Sequence, residues 1–198
     1  MSIAPYTRRI LKTFDAATPE EIEAGINWYA VAKSDCATLA DRYGVPLEIA
    51  VGVVAALSPN NRWERNLKDA ENMLSAFKAG RSVEEVTVCT YRAMRDKAWS
   101  ILENMPDVDG VLTLLNGQKI VAFAECILGR DACCIDGHAL NIARGQREAL
   151  TSDKTNVGKK LFRDLQRAYS NAGKKHGFTA FEMQAITWTT WRRQHGIA

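Results

Sequence analysis

Residues 109–138, DGVLTLLNGQKIVAFAECILGRDACCIDGH, decide the fold of the chain. Asp109 begins a short apolar helix that stops at Asn116-Gly117, and a second apolar helix follows at once and ends at Gly129. Asn and Gly end helices because they adopt the left-handed backbone conformation at low cost. The stretch therefore predicts a helical hairpin, two helices joined by a tight turn.

Two side chains around this hairpin suit chemistry on a glycosidic bond. Lys119 lies on the first turn of the second helix, and Asp136 opens the next helix after a brief extended stretch over 132–135. If the intervening helix packs its apolar face into a core, the chain returns and brings Asp136 near Lys119. A carboxylate stabilises positive charge that develops on a sugar, and an amine or an activated water attacks its C1′. Two plainer roles stay open, namely Lys119 as a phosphate-binding or surface lysine and Asp136 as a helix N-cap.

This pattern resembles the helix-hairpin-helix superfamily of DNA glycosylases, which includes endonuclease III and the adenine and 8-oxoguanine glycosylases. The family has a hairpin of the type L-P-G-V-G-x-K, then an apolar helix, then V-D-T-H opening another helix. The corresponding segments here are Leu115-Asn116-Gly117-Gln118-Lys119 and Ile135-Asp136-Gly137-His138. The resemblance implies a catalytic lysine at Lys119 and a catalytic aspartate at Asp136. It also implies that the hairpin grips DNA through Asn116, Gly117 and Gln118.

The resemblance extends upstream and spans residues 46–145. Val54-Ala55-Ala56-Leu57-Ser58-Pro59-Asn60 resembles the family's buried helix ending in L-L-S-A-Q, and residues 91–101, with Lys97-Ala98, resemble its Y-x-x-K-A-x-x-I helix. In the family, the residue at the position of Asn60 enters the gap left by a flipped nucleotide. Amide edges and an aromatic face can also read a flipped base. The candidates for the DNA gap or base pocket are therefore Asn60, Asn61, Arg62 and Trp63, with a capped helix start as the alternative. His138 is a candidate for substrate contact, with a packing role as its alternative.

The chain also departs from the family pattern. The first glycine of the hairpin motif is absent, since Leu115 stands two residues before Gly117. The spacing from Lys119 to Asp136 is one residue shorter than in endonuclease III. The family's C-terminal four-cysteine loop is missing, so we expect no iron–sulfur cluster, no other metal and no cofactor. Five cysteines without C-x-x-C spacing are expected to be reduced and mostly buried: Cys36, Cys89, Cys126, Cys133 and Cys134.

The rest of the chain predicts helices almost throughout, without the alternating pattern of strands. Capping boxes at 18–21, 82–85 and 179–182 mark helix starts. Beyond the hairpin, helices are predicted over 19–32, 38–43, 46–57, 62–79, 91–104 and 155–175, and a last helix follows the capping box at 179–182. We therefore expect an all-α, two-lobed helix-hairpin-helix glycosylase-like fold with a central cleft. It would form a single domain over 1–198, with the hairpin lobe at 46–145 and the other lobe built from the N- and C-terminal helices.

Positive charge is concentrated near the C-terminus. Residues 154–198 hold 9 Lys and Arg against 2 Asp and Glu, whereas residues 1–153 hold 17 against 21. A basic segment on a near-neutral body predicts a phosphate-facing surface, with a solvated helix face as the alternative. The expected phosphate contacts are Lys159, Lys160, Arg192 and Arg193. Nearby, Trp188 and Trp191 are more typical of a core than of a stacking platform.

These features predict a DNA N-glycosylase, with or without AP lyase activity, that flips a damaged or modified base out of duplex DNA and excises it. One alternative is a non-excising DNA-binding or base-modifying protein on the same fold, and another is a helical interaction module without nucleic acid. No apolar run reaches the ~20 residues of a membrane helix, and the N-terminus lacks the regions of a signal peptide. We expect a cytoplasmic monomer that binds DNA and no membrane.

Overall fold

A computed structural model describes residues 2–150 and 157–197. Within these residues the chain forms ten α-helices and no β-strand, which confirms the predicted all-α class. In chain order, the helices are α1 (Ala4–Phe14), α2 (Pro19–Tyr43), α3 (Leu47–Leu57), α4 (Trp63–Lys78), α5 (Arg92–Asn104), α6 (Val108–Leu115), α7 (Gln118–Leu128), α8 (Gly137–Arg144), α9 (Lys159–His176) and α10 (Ala180–Gln194). A short 3₁₀ turn, Val83–Glu85, lies between α4 and α5.

The helices group into two compact units. The first unit comprises Met1–Val31 and Gly129–Ala198, and the second comprises Ala32–Leu128. Helix α2 contributes to both, since it belongs to the first unit up to Val31 and to the second from Ala32. Each unit has its own buried core.

Helix α3 forms the core of the second unit. Every residue from Ile49 to Leu57 is buried, as predicted from an apolar pattern that leaves no polar face. Helices α4, α5, α6 and α7 all pack against α3. Gly52 allows α6 a close approach, since a Cβ at this position would lie 2.6 Å from Cγ1 of Val111. Both hairpin helices, α6 and α7, are therefore mounted on a buried helix.

Helices α1, α8, α9 and α10 pack together in the first unit. Tyr169 of α9 is fully buried, and its hydroxyl donates a hydrogen bond to the carbonyl of Ala139 in α8 at 3.1 Å. Gly25 of α2 lies so close to α10 that a Cβ there would be 2.5 Å from the backbone of Ile186. The Tyr169 contact fixes helix α8, which begins directly after Asp136.

Two predicted helix boundaries are wrong. Residues 19–43 form one helix rather than two, because no glycine or proline interrupts the chain between positions 32 and 38. Helix α6 is capped by Asp107 rather than begun by Asp109, and the Asp107 carboxylate accepts a hydrogen bond from the amide of Gly110 at 2.9 Å. The predicted helix start at 155 lies outside the described residues, and α9 as described begins at Lys159.

Other local signals hold in the structure. The three predicted capping boxes, at 18–21, 82–85 and 179–182, are confirmed. All five cysteines lie outside disulfide bonds, and Cys89 is exposed while the other four are buried. Burial raises the pKa of the Cys36 thiol to about 12. Cys36 is therefore a core residue rather than a nucleophile.

Candidate functional site

The hairpin turn consists of two residues, Asn116 and Gly117, between α6 and α7. Asn116 takes the left-handed conformation, with φ of 44°, and its amide bonds back to the carbonyl of Leu112. Ile120 is buried and lies against the turn, since a Cβ on Gly117 would be 3.2 Å from its Cγ1. The turn therefore anchors α7 through Ile120 and leaves Asn116, Gln118 and Lys119 exposed at its tip.

Lys97 of α5 supports this turn. Its ammonium donates a hydrogen bond to the carbonyl of Leu115, one of the last-turn carbonyls of α6 that have no partner within the helix. Partial burial lowers the pKa of Lys97. In the sequence, Lys97 is notable only because residues 91–101 resemble a helix of the glycosylase family. Its hydrogen bond to Leu115 shows that Lys97 positions the hairpin.

Asp136 is the N-cap of α8. Its Oδ1 accepts a hydrogen bond from the amide of Ala139 at 2.7 Å, and the residue is half-buried. A capping bond of this kind fixes the side-chain rotamer. The carboxylate is therefore fixed in one position by the hydrogen bond between Oδ1 and the amide of Ala139.

The chain that leads into Asp136 is fixed on both sides. Residues 132–135 are buried without forming a strand. Nε2 of Gln166 donates to the carbonyl of Cys133 at 3.2 Å, and the thiol of Cys133 lies 3.6 Å from the carbonyl of Ala180. Because Gln166 belongs to α9 and Ala180 to α10, these helices position the start of α8.

An aromatic cluster lies beside His138 in the first unit. The His138 ring meets the edge of the Trp188 ring at a centroid distance of 6.5 Å, and Trp28 contacts the same indole at 6.4 Å. The guanidinium of Arg192 lies over Trp188 at 4.5 Å, a cation–π contact. Trp191 is buried, as predicted, while Trp188 is half-buried.

The two predicted catalytic residues fall in different units. Lys119 belongs to the second unit and Asp136 to the first. Each is held by its own helix, Lys119 on the first turn of α7 and Asp136 at the start of α8. Their meeting at one substrate stays a prediction.

The loop between α3 and α4 carries the predicted gap-filling residue. Asn60 is exposed and adopts a positive φ of 55°, a conformation that Asn tolerates better than most residues. Its side-chain amide donates a hydrogen bond to the hydroxyl of Tyr91. The neighbouring Thr90 hydroxyl donates to the carbonyl of Pro59 at 2.8 Å. The loop is thus tied to the segment that precedes α5.

A buried carboxylate, Asp69, organises the same region. It is completely buried and accepts hydrogen bonds from Nδ2 of Asn61 at 3.0 Å, Nε of Arg65 at 2.9 Å and the backbone amide of Cys89 at 2.7 Å. Sequence reasoning missed Asp69, and the only local signal was the four-residue spacing from Arg65. Asp69 joins the loop that carries Asn60 and Asn61 to the one that carries Cys89.

Arg62 and Trp63 begin α4 on this loop. Arg62 occupies the N-cap position without a capping side-chain bond, and its side chain is exposed. The Trp63 indole donates to Oδ2 of Asp35 at 3.1 Å and meets the Phe123 ring at a centroid distance of 6.4 Å. Trp63 thus connects α4 to α2 and α7, and Arg62 stays accessible to solvent.

Arg193, expected at a phosphate-facing surface, is already paired. Its Nε lies 2.6 Å from Oε1 of Glu21, and a terminal nitrogen donates to the carbonyl of Ala16 at 2.8 Å. The hydrogen bond from Arg193 lowers the pKa of Glu21. Because Glu21 neutralises this guanidinium, Arg193 is a structural residue in the first unit.

The described residues are all-helical apart from turns and loops, and the candidate functional residues lie at three places. These are the α6–α7 hairpin, the N-cap Asp136 of α8, and the loop between α3 and α4 that exposes Asn60. The chain belongs to the family of unknown function DUF7178, whose model matches residues 1–195. No curated protein matches the chain. No solved structure matches it either. Its activity is therefore inferred from its own residues.

The lengths and compositions of the helices bear on membrane insertion. Among the helices of residues 2–150 and 157–197, none combines the length and the apolar character that spanning a bilayer requires. The longest, α2, has 25 residues and carries charged side chains along its length.

Proposed function

We propose that the chain is a DNA N-glycosylase that flips a damaged or modified base out of duplex DNA and cleaves its glycosidic bond. The observation that supports this activity most is the fixed carboxylate of Asp136, held at the start of α8 through one oxygen. The resemblance to the glycosylase superfamily assigns catalysis to the same position. A two-residue hairpin turn with an exposed lysine two residues after it adds to this support.

In the proposed reaction, the bond between C1′ and the base nitrogen breaks, and the base leaves with the bonding electrons and takes up a proton. Asp136 stabilises the positive charge that develops on the sugar. Lys119 attacks C1′ through its neutral amine and loses a proton as the new C–N bond forms. Ring opening then gives a Schiff base, from which β-elimination breaks the C3′–O bond.

Base flipping requires a side chain that fills the vacated gap. Asn60 suits this role because it is exposed at the tip of a loop that Asp69 and Thr90 hold on both sides. Asn61 and Trp63 are partly buried, and their side chains donate hydrogen bonds to Asp69 and Asp35, whereas Asn60 is exposed and its amide donates to the hydroxyl of the exposed Tyr91. We therefore assign the gap-filling role to Asn60, and we assign DNA backbone contacts to Arg62 and the hairpin tip.

The test is incubation of the protein with duplexes that each carry one damaged or modified base, scored for released base. Borohydride added to abasic duplex then traps any Schiff base as a covalent adduct. We expect base release from at least one duplex and an adduct that Lys119→Gln abolishes. Lys68→Gln is the matched control, since Lys68 is another exposed lysine on a helix of the second unit, and it should still form the adduct.

The alternative is a protein on the same fold that binds DNA without excising a base. The exposure of Lys119 favours it, because an exposed ammonium is suited to hold a phosphate. Salt-dependent duplex binding without base release or adduct in any duplex would support this alternative and contradict the glycosylase.

A further inference from the structure

Helix α9 presents a row of basic side chains on one face. Lys160, Arg163, Arg167 and Lys174 are all exposed, and steps of three, four and seven residues keep them on one side of an α-helix. At 1.5 Å per residue, the row extends over about 21 Å of helix axis. These four side chains are called the α9 basic row below.

The charge of the row is not neutralised within the part of the chain that the structure describes. None of its four cations takes part in an ion pair there, in contrast to Arg42, Arg65 and Arg193. The one acidic residue inside α9, Asp164, lies one turn from Lys160 and from Arg167, but it is partly buried and forms no ion pair with either of these described residues. The row is therefore open to an external anion.

The row is unfavourable for the helix on its own. Lys160 lies in the first turn of α9, at the positive end of the helix dipole, and that turn holds no acidic residue. Arg163 and Arg167 are like charges four residues apart, which repel each other on a helix. A bound polyanion would compensate both effects.

The row continues into a groove between α1 and α9. The two helices lie side by side, since the hydroxyl of Thr7 reaches the carbonyl of Ala168 at 3.4 Å. Near Lys174 they leave an open groove of about 450 Å³, which Arg8, Asn171 and Lys175 also line. Arg8 belongs to α1, so a second helix adds positive charge to the same surface.

We infer that the α9 basic row and the α1–α9 groove bind the phosphate backbone of duplex DNA, as a contact separate from the hairpin tip. Duplex DNA carries one negative charge per ~1.7 Å of its axis, so several phosphates fall within the length of the row. A membrane surface fits less well, because membrane-surface helices bury large apolar side chains. The exposed large apolar residues among those described, Val31, Tyr91, Met105 and Leu150, all lie outside α1 and α9.

The choice of DNA as the polyanion rests on the proposed function. The test therefore measures binding separately from base release, by fluorescence anisotropy of a labelled, undamaged duplex over a range of salt concentrations. The variant Lys160→Gln, Arg163→Gln, Arg167→Gln, Lys174→Gln removes the row, and glutamine preserves the helix. The matched control is Lys33→Gln, Lys68→Gln, Lys78→Gln, Arg81→Gln, which removes four exposed cations that form no ion pair among the described residues and changes the net charge equally.

Removing one cation that binds a phosphate should lower the slope of log K against log salt by about 0.9. With four such cations removed, we expect the row variant to reduce the magnitude of this slope by about 3.6 and to weaken binding at least about tenfold in ~0.1 M salt. The control should stay near wild type. Equal weakening in both variants would show a non-specific charge effect, and an unchanged row variant would place the DNA elsewhere. Either result overturns the inference.

A polyglutamate peptide distinguishes DNA from an acidic protein partner. If it competes with duplex as well as unlabelled DNA does, at equal charge concentration, the assignment to DNA is wrong. Base release is scored on the same samples. Binding that does not depend on the row, with base release intact, rejects the inference alone, whereas row-dependent binding without base release from any duplex rejects the glycosylase alone.

Discussion

The side-chain amide of Asn61 donates a hydrogen bond to the carboxylate of Asp69 at 3.0 Å. Both residues belong to the second unit, and Asp69 is completely buried. The backbone amide of Cys89 donates to the same carboxylate oxygen at 2.7 Å. A charged acceptor shared by two loops stabilises both, because each donor would lose a strong hydrogen bond if the loops separated.

Replacement of Asp69 should therefore destabilise the protein. In Asp69→Asn, a side-chain amide with one oxygen and one nitrogen faces three donors, and at least one of them loses its acceptor. We expect a loss of about 2–4 kcal/mol in the free energy of unfolding, measured in urea. Asp96→Asn, at an exposed carboxylate of α5 that pairs with Arg92 and with the mostly buried Arg95, should cost less than about 1 kcal/mol. If both substitutions lower the free energy of unfolding equally, the buried hydrogen bonds of Asp69 add no more stability than an exposed carboxylate does.

Lys97 is expected to hold the hairpin turn in place. Lys97→Met keeps the aliphatic stem but leaves the Leu115 carbonyl without its ammonium donor. The cost should be about 1–2 kcal/mol, together with faster amide hydrogen exchange at the start of α7 than in wild type. Exchange that stays at the wild-type rate across the turn would mean that Ile120 alone anchors it.

The pair formed by Glu21 and Arg193 predicts a specific pH dependence. Because Arg193 lowers the pKa of Glu21 below its ordinary value of 4.5, the folded state binds this proton more weakly than the unfolded chain. The stabilisation is complete above the unfolded pKa and is lost as the pH falls through the folded one. Glu21→Gln should therefore lower the free energy of unfolding by about 1–2 kcal/mol at pH 7. At pH 3, the difference in this free energy between wild type and variant should be smaller.

Urea unfolding of both proteins at the two pH values measures this gap. Glu23→Gln, at an exposed position on the same helix, should change stability little at pH 7. If the difference in free energy of unfolding between wild type and Glu21→Gln stays constant down to pH 3, the carboxylate is not stabilised by Arg193.

The elements that sequence reasoning predicted depend on local chemistry. The burial of α3 follows from an apolar run. The hairpin turn follows from Asn116 and Gly117, because these two residue types end helices readily. The N-cap role of Asp136 follows likewise from its place before α8. Only residues within one or two helical turns are needed to see each of these features.

The features that sequence reasoning missed depend on partners far along the chain. Arg193 looked like an available cation because Glu21 lies 172 residues away. Asp69 was not singled out because its donor at Cys89 belongs to another loop, 20 residues on. The hydrogen bond of Lys97 spans 18 residues in the same way. Such pairings need the tertiary structure, since a polar residue gives no sign in the sequence of whether it will be buried.

The proposed reaction requires that the charge of Asp136 acts in base excision, beyond its bond to α8. Asp136→Asn keeps the N-cap, because Asn caps helices as well as Asp does, and removes only the charge. Asp107→Asn is the matched control, since Asp107 caps α6 through the same kind of bond, to the Gly110 amide at 2.9 Å.

The decisive measurement is the single-turnover rate of base release from whichever duplex the wild-type protein excises. We predict that Asp136→Asn slows release at least about 100-fold, the size expected when a group that stabilises transition-state charge is removed. Asp107→Asn should stay within about threefold of wild type, because surface substitutions of this kind change little. Release by Asp136→Asn at the rate of Asp107→Asn would contradict a catalytic role for the Asp136 carboxylate.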